Sequence, residues 1–178
     1  MPSIDDHFMV HPHNGKSPLE LFCSRPKTND RAIKHFYAED YVNPAGQRIA
    51  FHRSAMERNA LGFNCYTALN QIRPDWVARA GRRTDTSAIE KRKKILVDLD
   101  RKNNKKRPAH DDEITTMEEL ADRIVSYLQE QGWPVPHKVL SGNGYHIYYP
   151  IDLPVNDESE VLVKQTLVTL AAKFNTDE

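Results

Sequence analysis

The sequence lacks a surplus of either charge, because 25 lysine and arginine residues are balanced by 25 aspartate and glutamate residues. This balance excludes a basic field over the whole protein, of the kind that attracts nucleic acid from a distance. A nucleic-acid partner would have to be held by local groups of basic and aromatic side chains.

Cysteine is also scarce, since Cys23 and Cys65 are the only two in the chain. They are widely separated and do not have the spacing of paired zinc ligands. The cysteine content therefore excludes a disulfide-rich scaffold and a zinc ribbon, and it favours the reducing cytoplasm.

Long apolar segments are missing as well. The first residues, 1–15, are polar and interrupted by prolines, and no later window is long and apolar enough to cross a bilayer. We therefore expect a soluble protein with no membrane partner. A chain of 178 residues can bury the core of one domain and leave room for a small additional module.

Short elements are mixed in the first half of the sequence. The runs LELFCSR, AIKHFYAED and FNCYTALN predict strands, and AFHRSAMERNALG predicts a helix that ends at Gly62. The charged stretch 82–94 then marks a boundary. We accordingly expect an N-terminal mixed α/β module at 1–87 and a second module at 88–178.

The second half shows clearer patterns. The apolar run 95–97 predicts a buried strand that ends in acids. Thr116 with Glu119 has the pattern of a capping box and predicts the start of a helix that Gly132 stops.

A hairpin and a last helix follow in the predicted order. HKVL and HIYY predict two strands joined through SGNG. Asp157 with Glu160 again has the capping-box pattern and predicts a helix to about Phe174. The order of strand, helix, strand, strand and helix predicts an α+β arrangement with helices on a largely antiparallel sheet.

Two acids end the predicted strand at VDLD. Asp98 and Asp100 alternate with Leu99, so their carboxylates leave the same face of an extended segment. A divalent ion such as Mg²⁺ would offset their repulsion, although two acids at a strand end can also simply be solvated. The basic residues that follow favour phosphate binding, or form only a solvated connection. These residues are Arg101, Lys102, Lys105, Lys106 and Arg107.

The sequence SGNGYH at 141–146 combines two glycines with a hydroxyl, an amide and an imidazole. Backbone N–H groups at Gly142 and Gly144 can approach an anion closely, and Ser141 and His146 can add hydrogen bonds to phosphate oxygens. The alternative is an ordinary hairpin turn, because Asn-Gly at Asn143 forms such turns without a ligand.

Together, VDLD and LSGNGYHIYYPIDLP resemble two motifs of the archaeo-eukaryotic primase superfamily, especially the primase-polymerase cores of bacterial mobile elements and phages. The resemblance is strong from Ala88 onward and loose between Leu19 and that point. It implies an RRM-like core, a bacterial, phage or plasmid origin, and nucleotide addition to a 3′-hydroxyl on a single-stranded DNA template.

The resemblance also implies roles for particular residues. Asp98 and Asp100 would bind Mg²⁺ or Mn²⁺ in a two-metal site. Ser141 to Gly144 and His146 would bind the triphosphate of an NTP or dNTP, and Arg101 would contribute to nucleotide binding. Template and primer DNA would be partners, and a helicase domain or subunit is a further expected partner.

The third motif of the family, an acid on a further strand, has no counterpart. Asp177 lies near the corresponding place, but we interpret it as a loop residue before that strand. We therefore expect a core that is incomplete before its last strands and polymerises weakly.

Other classes of function remain open on the sequence alone. The main alternative is a non-catalytic nucleotide- or nucleic-acid-binding module of primase fold in a replication or defence complex. A purely structural domain and a metal-dependent nuclease are further alternatives.

Overall fold

In a computed structural model, the protein is described at residues 13–26, 28–79, 81–101 and 107–175. The predicted basic residues Lys102, Lys105 and Lys106, and the acid Asp177, lie outside the described residues. The chain divides into two compact units, Met1–Arg92 and Lys93–Glu178. This division falls a few residues after the predicted module boundary.

The first unit contains a three-stranded antiparallel sheet and one long helix. Its strands are β1 (Leu19–Ser24), β2 (Arg31–Phe36) and β3 (Asn64–Thr67), in the order β2-β1-β3. Helix α1 (Pro44–Ala60) lies between β2 and β3 in the chain. The core combines apolar residues from both layers, namely Leu19, Leu21, Cys23, Phe36, Phe51 and Phe63.

Helix α1 begins six positions earlier than the predicted run, because Asn43 caps it. The Asn43 side chain accepts a hydrogen bond from Gly46 N at 2.9 Å, and Pro44 occupies the first turn, where its missing N–H has no cost. The predicted end is confirmed, since the chain turns at Gly62 with φ 81°.

The two cysteines, distant in sequence, are neighbours in the sheet. Cys23 on β1 pairs directly with Cys65 on β3, and their Sγ atoms are 3.6 Å apart as free thiols. Burial, followed by the contact with Cys23, raises the pKa of the Cys65 thiol to about 12. This thiol therefore stays protonated, and it packs as a small apolar group.

The second unit has its own three-stranded sheet, in the order β4-β6-β5. Its strands are β4 (Arg92–Asp100), β5 (His137–Leu140) and β6 (Gly144–Leu153). Helix α2 (Asp111–Glu130) connects β4 to β5, and helix α3 (Asp157–Phe174) follows β6. The predicted element order and the general α+β class are confirmed.

Strand β6 is central and antiparallel to both neighbours. Lys93 at the start of β4 pairs with Asp152 near the end of β6 at 2.8 Å, whereas Leu99 lies beside Gly144 at the start of β6. Strands β4 and β5 therefore run parallel to each other on either side of β6, with α2 as the crossover. The core below this sheet is formed by the buried residues Ile95, Val97, Ala121, Ile124, Leu128, Tyr145, Ile147, Tyr149, Leu170 and Phe174.

Both predicted capping boxes are wrong in position. Helix α2 begins at Asp111, where Glu113 accepts from His110 N at 2.8 Å, and Thr116 instead donates to Asp112 O within the helix. Acids in the first turn favour this earlier start, because they face the positive end of the helix dipole. At α3 the cap is Asn156, which accepts from Ser159 N at 2.9 Å.

Candidate nucleotide and metal site

The acid pair lies on the exposed face of β4. Ile95 and Val97 are buried at 3% and 7% exposure, whereas Asp98 and Asp100 are exposed. Leu99 packs against the core cluster of the second unit. Strand alternation thus directs both carboxylates away from the core, as the sequence predicted.

Strand pairing brings His146 to Asp98. The Nε2 atom of His146 is 3.3 Å from Asp98 Oδ1, across the β4–β6 pair. The Asp98 side chain remains 60% exposed and the His146 side chain 31% exposed. The two predicted motifs are separated in the chain by helix α2, and the sheet brings them together.

A hydrogen bond to Tyr148 fixes the other nitrogen of His146. Nδ1 is 3.0 Å from the Tyr148 hydroxyl, whose pKa is raised by burial and then by the charge of Asp98. A hydroxyl that keeps its proton can donate to Nδ1, while Nε2 is the ring nitrogen that faces Asp98. The sequence missed this role of Tyr148, for which only its strand alternation with His146 was a signal.

The SGNG sequence forms a tight hairpin turn. Ser141 N donates to Gly144 O at 2.9 Å, and Gly142 has φ 101°, a conformation that favours glycine. The side chain of Asn143 accepts from Ala109 N at 3.2 Å, which attaches the turn to the segment before α2. The Ser141 amide is therefore engaged within the hairpin, while its side chain is exposed.

Gly144 is required by a close backbone approach. A Cβ at this position would collide with the backbone carbonyl of Leu99. Only glycine lets β6 begin directly against the end of β4, next to Asp98 and Asp100.

Arg101 lies immediately after the acid pair but has internal partners. It is 5% exposed, and its guanidinium donates to Glu113 at 2.9 Å and to the carbonyls of Arg107 and Pro108. Arg107 pairs with the same carboxylate at 2.7 Å. Hydrogen bonds from Arg107, then from His110 N and Arg101, lower the pKa of Glu113 to about 2. Arg101 thus joins the end of β4 to the start of α2, and its predicted contact with nucleotide stays a prediction.

Lys94 occupies the same face of β4 as the acid pair, two alternations before Asp98. Burial lowers its pKa to about 8. Nothing in the sequence indicated this lowered pKa, because it arises only from burial in the folded protein.

The exposed carboxylates suit a divalent cation chemically. Hard cations such as Mg²⁺ take oxygen ligands, commonly one or two carboxylates together with substrate phosphates. Within residues 13–26, 28–79, 81–101 and 107–175, no group of three or more histidine, cysteine, aspartate or glutamate residues is arranged to hold a metal ion. Asp98 and Asp100 supply two exposed carboxylates on one face of β4, which is the type of oxygen donor that such a cation takes.

Comparison with known proteins gave no assignment. No family model matches the sequence, and neither a curated protein nor a solved structure matches it. Among the described residues, no helix has the length and apolar character needed to cross a membrane.

Proposed function

We propose that the end of β4 and the adjoining hairpin bind a nucleoside triphosphate with a divalent metal ion, for nucleotidyl transfer in a DNA primase-polymerase core. The observation that carries the proposal is the 3.3 Å contact between Asp98 and His146. It unites the two sequence motifs on one exposed face. The crossover of α2 between parallel strands, with β6 between them, is also the arrangement that an RRM-like core requires.

The residues would divide the work by their positions. Asp98 and Asp100 would hold Mg²⁺ or Mn²⁺, which when bound neutralises phosphate charge and activates the attacking 3′-hydroxyl. His146, which lies between Asp98 and Tyr148, would contribute to binding the triphosphate from the same face. The Ser141 hydroxyl and the remaining turn amides would position the triphosphate, so that catalysis consists mainly of orientation and charge stabilisation.

The test is a titration of fluorescently labelled dATP and ATP in Mn²⁺, Mg²⁺ or EDTA. The double variant Asp98→Asn, Asp100→Asn is compared with Glu119→Gln, Glu130→Gln, which removes two exposed carboxylates from α2. We expect metal-dependent binding that the first variant weakens about a hundredfold, the effect of losing about 3 kcal/mol of charged contacts. The second variant should bind as the parent chain does.

Two results would count against the proposal. Binding of equal strength in EDTA would support a non-catalytic nucleotide-binding module instead. If the chain is folded and neither labelled nucleotide binds in any metal condition, the proposed nucleotide site does not exist. A primer-extension assay with a single-stranded template, in Mn²⁺, then measures whether binding leads to nucleotide addition.

A further inference from the structure

A cavity of about 310 Å³ lies within the first unit, and its lining includes none of the residues named for the proposed nucleotide site. It is formed by the segment between β3 and the end of that unit. Its lining residues are Trp76, Val77, Arg79, Arg82, Arg83, Asp85 and Ser87. Three arginines against one aspartate make its wall cationic.

The three arginines differ in the contacts that they make within the protein. Arg83 already has two partners, because its Nε lies 3.5 Å from Glu20 Oε1 and its guanidinium lies 4.2 Å from the Phe22 ring centroid. Arg82 is exposed and has no side-chain partner among the described residues. Arg79 is exposed too, and its charge acts on Asp85 only as a minor cause of the lowered pKa of that carboxyl, after the hydrogen bonds from Ser87.

A buried carboxylate holds this segment in place. Glu20 on β1 is 0% exposed and accepts from Thr84 N, from Thr84 Oγ1 at 2.9 Å and from His35 Nε2 at 3.2 Å. Burial opposes its ionisation, but these hydrogen bonds and the charge of Arg83 hold the pKa of Glu20 below its ordinary value. The cationic wall is thus anchored to the sheet.

Trp76 supplies an aromatic surface at the same cavity. Its ring centroid is 5.1 Å from that of His35, at an interplanar angle of 58°, and the indole remains partly exposed. Two residues further on, Ala78 N donates to the Tyr37 hydroxyl at 2.9 Å. The indole is therefore held in a fixed position beside the arginines.

We propose that this cavity binds single-stranded nucleic acid, with backbone phosphates against Arg79 and Arg82 and a base against Trp76. Arginine guanidinium groups recognise phosphate oxygens in a bidentate geometry, and the accessible part of an indole is a stacking surface for any base. The combination matches a strand that alternates anionic and aromatic groups. Binding here requires no divalent metal and none of the carboxylates of β4.

The intrinsic fluorescence of Trp76 provides a direct readout. The chain has two tryptophans, and Trp133→Phe leaves Trp76 as the only tryptophan while keeping an aromatic ring against Tyr149. Titration with a dT oligomer of about twelve nucleotides, a length within the usual site sizes, is performed in EDTA. We expect quenching of Trp76 with saturation.

Matched variants separate the two kinds of contact. Arg79→Gln, Arg82→Gln should lower affinity for a labelled oligomer about tenfold and reduce the slope of log K against log salt by about 1.4, or 0.7 per phosphate contact. Trp76→Leu, in an otherwise unchanged chain, should lower affinity but leave that slope unchanged. Arg53→Gln, which removes an exposed arginine from α1, should change neither quantity. Circular dichroism verifies that each variant is folded.

Three results would overturn the proposal: no oligomer binding by the folded parent chain, equal affinity for dTMP and the oligomer, or unchanged affinity and salt slope in Arg79→Gln, Arg82→Gln. The second would indicate a mononucleotide site rather than a strand site. Asp98→Asn, Asp100→Asn should bind the oligomer normally in EDTA. Failure of metal-dependent triphosphate binding would therefore leave this proposal standing, and failure of oligomer binding would leave the metal-dependent triphosphate site standing.

Discussion

Glu20 in the first unit and Asp98 in the second show how differently one chemical group can be used. Glu20 is 0% exposed and is surrounded by donors from His35, Thr84 and Arg83. Asp98 is 60% exposed and lies 3.3 Å from one imidazole nitrogen. A buried, hydrogen-bonded carboxylate stabilises the fold, whereas an exposed one beside a single donor retains oxygen atoms that solvent or a ligand can reach.

The two proposed binding surfaces also differ in the charge that they present. In the first unit the buried acid holds Arg83 and Thr84 in a segment whose arginines line a cavity, which suits an anionic polymer. In the second unit the acids themselves are presented, which suits a cation and the phosphates that accompany it. The two proposals therefore rest on different residues and can be tested with different variants.

The largest effect is expected in the second unit, at the close backbone contact between β4 and β6. Gly144→Ala places a Cβ against the Leu99 carbonyl and must push β6 away from β4. We expect the free energy of unfolding to fall by about 4 kcal/mol, among the larger effects of single substitutions. Urea denaturation followed by circular dichroism measures this change.

The control for this variant is Gly46→Ala, in the first turn of α1. A Cβ there meets its nearest neighbour at an ordinary 3.7 Å, so stability should be unchanged or slightly raised. Equal stabilities of the Gly144→Ala variant and the parent chain would show that β4 and β6 do not approach as closely as the structure describes.

A smaller but more direct contrast is expected between the two carboxylates. Glu20→Ala leaves Arg83 and the Thr84 amide without their buried partner and should cost about 3 kcal/mol of unfolding free energy. Asp98→Ala removes an exposed side chain and should change stability by less than about 0.5 kcal/mol. Urea denaturation of both variants tests these values. Similar losses of unfolding free energy in the two variants would contradict the different roles assigned to Glu20 and Asp98.

The smallest expected effect is a pH dependence in the first unit. The pKa of Glu20 is lowered in the folded protein, so its contribution to stability is complete above the unfolded value of about 4.3 and is lost as pH falls through the folded pKa. The difference in unfolding free energy between the parent chain and Glu20→Gln should therefore narrow as the pH falls below about 4.3. Urea midpoints at a series of pH values measure it, and a constant difference would contradict the assigned role of the charge.

Local sequence patterns predicted most of the elements but placed their ends less well. Apolar periodicity located the strands at Leu19 and His137 and the helix that ends near Phe174, because the pattern follows from which face is buried. The starts of the helices were misplaced, since several nearby polar residues could serve as caps. Only the folded chain selects Asn43 and Asn156 as caps and assigns the Glu113 contact to His110 N.

The candidate site was predictable as two motifs but not as a single place. Alternation along β4 and β6 determined which residues share a face, and it separated His146 and Tyr148 from the core residues Tyr145 and Ile147. The cavity around Trp76 had no comparable signal. Its residues follow no regular period, and a distant acid on β1 holds them in place.

By itself, the sequence determined the order of the elements, the faces of the strands and the chemistry available at Asp98, Asp100 and the glycine-rich turn. The tertiary structure decided which of these groups meet: it brought His146 to Asp98, engaged Arg101 with Glu113, and paired Glu20 with Arg83. The physical reason is that periodicity is a property of neighbouring residues. Contacts between residues far apart in the chain depend on strand register, burial and competition among many hydrogen-bond partners.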